Sequence, residues 1–210
     1  MVPPMLDRHL GMRRFEQSLG AVALVTLGIF AWARLDSGLF QKLLGGRIDE
    51  IVRTARGRRA AVLQAGMAAA TRAEIATSGL VGRIEIPRLG VSALVIEGTD
   101  SRSLRRAVGH VRLTSLPGES GNVALAGHRD SFFRPLNKVC LGDIVRLTTP
   151  DGMFEYRVES EFVVRPGQTE VLSPSDGRTL TLITCYPFGY VGSAPERFIV
   201  RARQLDAKVR

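Results

Sequence analysis

The stretch from Thr179 to Pro187, Thr-Leu-Thr-Leu-Ile-Thr-Cys-Tyr-Pro, constrains the fold of this chain more than any other. Its alternating Thr, Leu and Ile side chains are typical of a half-buried β-strand. We expect the strand to end at Tyr186-Pro187, because proline cannot donate to a sheet ladder and restricts the residue before it. Cys185 therefore takes a strand-end position, where its side chain can face a groove. A cysteine there either closes the strand as a small apolar residue or is a partly exposed, reactive thiol.

A reactive thiol at Cys185 would need a base or a cation beside it, because few thiols are ionised at neutral pH. His128 is the candidate base, since it follows the short apolar strand Val123–Ala126 and the chain-breaking Gly127. Arg197 is the candidate cation, at the start of the strand-like run Arg-Phe-Ile-Val-Arg. The sequence thus predicts three polar side chains at strand ends, in the order His, Cys, Arg.

These residue types predict acyl transfer through a thioester. Cys185 would attack a peptide carbonyl, and His128 would give a proton to the departing amine and take one from the incoming nucleophile. Arg197 would face the developing oxyanion or the substrate backbone. Two rival assignments stay open: His110 as the base, and Arg201, on the same strand face as Arg197 by alternation, as the cation.

The three segments together resemble the sortase family. Thr181–Cys185 fits the family signature Thr-Leu-x-Thr-Cys, Ala126–His128 fits Ala-Gly-His, and Arg197 follows the cysteine by a dozen positions. The longer strings around the histidine and the cysteine are most similar to class D sortases. The resemblance extends from about Val81 to Arg203.

Several expectations follow from this resemblance. It implies an eight-stranded β-barrel with His128, Cys185 and Arg197 at one end of a groove, and Thr184 as a substrate-binding residue. It implies a protein substrate with a C-terminal sorting signal of the Leu-Pro-x-Thr-Gly kind, cut after the threonine. The acyl group would pass to an amine such as a peptidoglycan peptide or a pilin lysine, with no cofactor or metal.

The pattern of short strands independently predicts a mostly β domain over residues 80–206. Gly, Pro and β-branched residues replace an Ala-rich pattern from Val81 onward, and strands at this spacing predict a closed antiparallel barrel. Residues 142–149 and 152–160 are expected to pair as a hairpin. A short helix is expected after Asp100, which is a capping residue.

The N-terminal third is predicted to anchor the protein. Residues 1–16 are interpreted as a cytoplasmic tail, 17–35 as a transmembrane signal anchor and 36–79 as a helical stalk. The alternative is a cleaved signal peptide, because Ala31-Trp-Ala33 has the small-x-small pattern of a cleavage site. Both interpretations place the remainder outside the cytoplasm.

Composition and residue spacing argue against a nucleic-acid-binding protein, a disulfide-rich protein and a metalloprotein. The net charge of +9 and pI of about 10.7 fit a basic face near anionic lipid, and there is no nucleic-acid motif. The two cysteines, Cys140 and Cys185, could form one bridge, which is not a disulfide framework; if Cys185 is the nucleophile, we expect Cys140 to be free and buried. Histidine and acidic residues show no metal-site spacing, and Glu119 with Glu170 is too little for calcium.

Other functions remain possible from sequence alone. One is a cell-wall enzyme of the L,D-transpeptidase kind, although those place Ser-x-Gly before the cysteine and an arginine soon after it. Others are a hydrolytic cysteine peptidase and a catalytically silent β-barrel binding module. Arg129 and Asp130, next to the histidine, are interpreted as a local ion pair that holds the loop.

Overall fold

The structure is a computed structural model that describes residues 27–28, 31, 42, 44–48, 50, 75 and 77–205. The chain divides into two compact units, residues 1–39 and 40–210. The described residues of the first unit are helical. The rest of the predicted anchor, residues 17–35, and the whole predicted cytoplasmic tail lie outside the described part. Among the residues described, no helix has the length and apolar character of a membrane span.

The second unit contains a closed barrel of eight strands. The strands follow one another around the barrel in the order β1-β2-β3-β4-β7-β8-β6-β5. This confirms the predicted fold class, a mostly β, closed eight-stranded barrel with short helices. The strands are β1 (Leu80–Ile86), β2 (Val91–Glu97), β3 (Val108–His110), β4 (Gly121–Ala126), β5 (Ile144–Thr149), β6 (Gly152–Val164), β7 (Arg178–Tyr186) and β8 (Glu196–Gln204).

The expected all-antiparallel pairing is wrong at two places. β2 pairs with β3 and β4 pairs with β7 in parallel. Parallel neighbours need a crossover rather than a tight turn. Between β2 and β3 that connection contains the helix α1 (Ser101–Arg106), which Asp100 caps by accepting hydrogen bonds from two backbone amides. Between β4 and β7 the chain first builds the β5–β6 hairpin.

The β5–β6 hairpin forms where the sequence predicts it. Thr149 pairs with Gly152, so the loop consists of the two residues between them. β6 is long enough to pair first with β5 and then with β8. Three 3-10 helices complete the described connections, at Pro87–Leu89, Arg134–Lys138 and Thr169–Leu172.

The barrel interior is filled by alternate residues of each strand. On β7, Leu180 and Leu182 belong to the main core cluster, so Thr181 and Cys185 face the opposite side of the sheet. A smaller apolar cluster joins the helical residues Leu44 and Ile48 to Leu80, Leu94 and Ala107. The described residues of the predicted stalk between 42 and 78 are helical, as expected.

Candidate active site

Cys185 lies beside Arg197 in the sheet. β7 and β8 are antiparallel, and the register pairs Cys185 directly with Arg197. Opposed residues of an antiparallel pair have Cβ atoms about 4.5–5.5 Å apart, on the same face of the sheet. The strand that carries the thiol is therefore next to a fixed positive charge.

His128 reaches the same level from the other side of β7. β4 runs parallel to β7, and its last pair joins Ala126 to Ile183. The amide of Gly127 extends this ladder by donating to the carbonyl of Ile183 at 3.1 Å. Two positions beyond Ala126 and Ile183 come His128 and Cys185, respectively. The three predicted residues therefore converge at one rim, with Cys185 on the central strand.

The turn after His128 depends on Gly127. The carbonyl of His128 accepts a hydrogen bond from the amide of Phe133 at 3.2 Å, so the chain folds back at once. The Phe133 ring is fully buried and lies against Gly127, where a Cβ atom would be 2.8 Å from it. Real Cβ contacts are not this short, so glycine is required for the histidine turn to pack on the barrel.

Thr184 faces the inside of the barrel rather than the groove. It is 2% exposed, and its hydroxyl donates to the carbonyl of Gly127 at 2.7 Å. This bond ties the strand of Cys185 to the turn that carries His128. Substrate contact by Thr184 stays a prediction, while its contact with Gly127 makes it a support of the site.

The three rim side chains are half-buried, so the site is open to a ligand. Within the described part of the chain, no carboxylate is hydrogen-bonded to the His128 ring. Arg197 donates through Nη1 to the backbone carbonyls of Ala194 and Glu196, at 3.2 and 2.9 Å. The strand that carries Cys185 thus lies between the strand of Arg197 and the strand that leads to His128.

His110, the rival base, belongs to a different region. It lies on β3 and is 2% exposed. Its Nδ1 is 2.7 Å from a carboxylate oxygen of Glu97, and its Nε2 is 3.0 Å from the carbonyl of Ser115. A cavity of about 500 Å³ lies beside this pair and away from Cys185. Both ring nitrogens are engaged, so His110 serves the packing of β2 and β3.

Arg201, the rival cation, is also engaged elsewhere. It pairs with Thr181, four positions before Cys185, which is about 13 Å along the strand. Its Nη2 donates to the carbonyl of Val171 at 3.2 Å, and Asn122 donates to the same carbonyl at 2.9 Å. These bonds anchor the β6–β7 loop on the barrel. Sequence reasoning missed this anchor because its members are distant along the chain.

Two smaller expectations are wrong. Arg129 forms no ion pair with Asp130 in the described structure, and instead donates to two carbonyls of the β7–β8 loop. Cys140 is free, as predicted, but it is exposed rather than buried. The reason is that the chain turns here towards β5, and the neighbouring Val139 takes the buried position. The described residues contain no group of three His, Cys, Asp or Glu that could hold a metal ion.

The structure is a closed β-barrel that carries Cys185 and Arg197 on adjacent strands and His128 in the turn after the strand on the other side. The chain belongs to the sortases, because the profile of the Sortase domain matches residues 84–205, more than half of its length. This membership removes the L,D-transpeptidase alternative.

Individual relatives agree with this assignment. Sortase D of Bacillus subtilis is 36% identical over 125 residues, which cover 59% of this chain and 63% of the relative. Sortase A of Listeria monocytogenes is 34% identical over 110 residues, which cover 50% of this chain and 49% of the relative. The chain thus spans about half to two thirds of the length of these curated relatives.

Solved structures have the same barrel. A Sortase D5 transpeptidase of Clostridium perfringens matches 60% of this chain and 79% of its own, with a TM-score of 0.55 and 34% identity. Sortase C-1 of Actinomyces oris matches 76% of this chain and 98% of its own, with a TM-score of 0.58 and 29% identity. The predicted similarity to class D is consistent with the first of these and with the Bacillus subtilis relative.

Proposed function

We propose that this chain is a membrane-anchored cysteine transpeptidase that joins a protein carrying a C-terminal sorting signal to an amine. The observation that carries the proposal is the strand register: β8 pairs Arg197 with Cys185, and β4 pairs with β7 up to Ala126, two residues before His128. Family membership supports the same reaction class. The half-buried thiol is accessible to a peptide that lies across the strand ends.

The reaction divides into two acyl transfers. The Cys185 thiolate adds its Sγ to the scissile carbonyl carbon, and the carbonyl oxygen becomes an oxyanion. Protonated His128 gives its proton to the amine as the C–N bond breaks, which leaves a thioester on Sγ. An amine then attacks the thioester carbon, gives a proton to His128 and expels the thiolate. The product is a new amide bond.

Arg197 stabilises the negative charge that develops on the carbonyl oxygen in this reaction. Its guanidinium is permanently charged, and its backbone is paired with that of Cys185 across the sheet. A fixed cation near the scissile carbonyl stabilises the oxyanion more than the neutral carbonyl, which lowers the barrier. The bonds from Nη1 to Ala194 and Glu196 hold the group in place before the substrate arrives.

The proposal also states where in the cell the protein acts and which substrates it joins. The apolar run within residues 17–35, with Arg13 and Arg14 before it, supports an uncleaved single-pass anchor with a cytoplasmic N-terminus. The barrel would then act outside the cytoplasm. Its substrate would carry a Leu-Pro-x-Thr-Gly-like signal, and its acceptor would be an amine of a peptidoglycan peptide or a pilin lysine.

A peptide assay on the purified full chain tests this function. The probe is a Leu-Pro-x-Thr-Gly peptide library between a fluorophore and a quencher, with and without an added amine such as triglycine. We expect cleavage after threonine and, with the amine present, a product joined to it. Cleavage without any joined product would indicate a hydrolytic peptidase, and no cleavage of any member would indicate a silent barrel.

The second cysteine provides the matched control. Cys140 is exposed and lies outside the rim, so Cys140→Ala should cleave and transfer at the wild-type rate. Cys185→Ala should do neither while it keeps the wild-type melting temperature. A Cys185→Ala protein that still transfers the acyl group would overturn the proposed nucleophile.

A further inference from the structure

Arg129, the residue after His128, holds the β7–β8 loop. Its Nη2 donates to the carbonyls of Tyr190 and Gly192, at 2.7 and 2.9 Å. Its guanidinium carbon lies 5.9 Å from the centre of the Tyr190 ring, within the range of a cation–π contact. Charged donors form stronger hydrogen bonds than neutral ones, so this is a firm attachment between two distant segments.

The attached part of the loop has little else to fix it. Phe188, at the start of the loop, packs on Phe198 with ring centres 5.3 Å apart. Beyond it, Tyr190 is 47% and Val191 94% exposed. Gly192 has a φ of +97°, a conformation that glycine adopts freely. Apart from the amide of Tyr190, which donates to the carbonyl of Pro187 at 3.3 Å, the position of residues 190–192 therefore depends on the bonds from Arg129.

The same loop holds Arg197 at its other end. The carbonyl of Ala194, two residues after Gly192, accepts a bond from Arg197 Nη1 at 3.2 Å. The β7–β8 loop thus connects an arginine on the β4 side of Cys185 to an arginine on the β8 side. A displacement at Gly192 would pass directly to the carbonyl that orients the guanidinium of Arg197.

We propose that Arg129 is a positioning residue for Arg197 and acts through the β7–β8 loop. The inference rests on the proposed function, because the effect on turnover follows from the role of Arg197 at the oxyanion. Arg129 itself contacts no reacting atom in this scheme. Loss of its side chain loosens residues 189–195 and weakens the bond from Arg197 to Ala194, so that only the bond to Glu196 still orients the guanidinium.

Kinetics of the full chain test the effect on catalysis. The substrate is the sorting-signal peptide that the wild-type protein cleaves. Arg129→Met should lower kcat about 10- to 100-fold with little change in KM, and Arg129→Lys should restore part of the lost kcat. Arg134→Met is the matched control, since Arg134 is exposed and its side chain has no described partner; it should stay within about twofold of wild type. Wild-type kcat in Arg129→Met would overturn the proposal.

A double-mutant cycle tests whether Arg129 acts through Arg197. If Arg129 acts through Arg197, adding Arg129→Met to Arg197→Met should change kcat by less than about threefold. Losses that multiply would show that Arg129 acts independently of Arg197 and would overturn the positioning role.

Alkylation tests the proposal without any turnover, so it separates this inference from the proposed function. The ratio of Cys185 alkylation rates with anionic iodoacetate and neutral iodoacetamide reports the positive charge held near the thiol. Arg129→Met should lower the ratio more in the wild-type background than in the Arg197→Met background, where only the direct loss of the Arg129 charge remains. An equal decrease in both backgrounds would contradict the proposal even if no sorting peptide is cleaved.

Hydrogen exchange provides the structural readout. In Arg129→Met, the backbone amide of Tyr190, which donates to the carbonyl of Pro187, should exchange at least about tenfold faster, while the amides of β7 and β8 keep their wild-type rates. Unchanged exchange in the loop would mean that Arg129 does not hold it, and the proposal would fail for that reason alone.

Discussion

Cys185 and Arg197 are direct cross-strand partners, and His128 lies two residues after the end of β4, the strand on the other side of β7. The thiol therefore lies on the middle strand of three. Two separate sheet registers therefore set its position relative to His128 and Arg197. A one-residue slip of either register would turn a partner to the other face of the sheet. The strand pairing that stabilises the barrel therefore also determines the geometry of the site.

The first prediction concerns the two arginines of β8. Arg197→Lys keeps the charge but loses the planar fork, so we expect kcat for peptide cleavage to fall about 100-fold or more. Arg201→Lys should leave kcat within about tenfold, because Arg201 anchors Val171 and pairs with Thr181, about 13 Å along the strand from Cys185. Steady-state kinetics with both variants measures this. A larger loss of kcat in Arg201→Lys than in Arg197→Lys would mean that Arg201, rather than Arg197, acts at the oxyanion.

The second prediction separates the two histidines. His128→Gln should lower kcat about 100- to 10,000-fold without changing the melting temperature, because it removes the proton donor from an open rim. His110→Gln should instead lower the free energy of unfolding by about 1–3 kcal/mol, because it disrupts a buried pair with Glu97. Thermal unfolding and kinetics are measured on the same preparations. If both variants are stable and His110→Gln alone is inactive, the assigned base is wrong.

The third prediction concerns the turn that holds His128. Gly127→Ala places a methyl group against the Phe133 ring, and we expect unfolding to become easier by about 1–3 kcal/mol. Activity should also fall, because His128 is the next residue. Gly167→Ala is the control, since nothing lies within 4 Å of its added carbon and its φ is not positive. Equal stability of the two variants in urea unfolding would show that the Phe133 contact is unimportant.

The fourth prediction is a pH dependence of stability at Asp143. Hydrogen bonds from Arg88 hold the pKa of Asp143 below its usual range, against the opposing effect of burial. A depressed pKa in the folded state stabilises the protein above the unfolded-state value, about 3.9, and this stabilisation is lost as the pH falls through the folded-state pKa. Asp143→Asn should therefore melt several degrees below wild type at pH 7, with a gap that shrinks below about pH 4.

The control for this pH effect is Asp130→Asn, because Asp130 is exposed and has no ion pair within the described residues. Its melting temperature should follow that of wild type across the pH range. A constant gap for Asp143→Asn from pH 7 to pH 2 would mean that its effect comes from packing rather than from the ionised carboxylate.

Local patterns were sufficient to predict the strand ends that carry the site. The alternation before Cys185 and the apolar run before His128 are properties of a few neighbouring residues, and strand formation follows from them. The β5–β6 hairpin was predictable for the same reason, since its turn residues lie between two matching runs.

Pairing between distant strands was not predictable from these patterns. Periodicity gives the face of a side chain but not the neighbour of its strand, so the parallel pairing of β4 with β7 was missed. The same limit applies to Arg129. Its partner carbonyls are more than sixty positions away, and its sequence neighbour Asp130 was the more obvious candidate.

Trapping of the acyl intermediate tests the central claim most directly. The full chain is incubated briefly, without amine, with the intact sorting-signal peptide that it cleaves. The mixture is quenched in acid, digested and analysed by mass spectrometry. We predict that the peptide containing Cys185 gains the mass of the acyl fragment ending in threonine, and that hydroxylamine removes it. An adduct on Cys140, or cleavage that proceeds with no adduct on Cys185 at any time, would contradict the account.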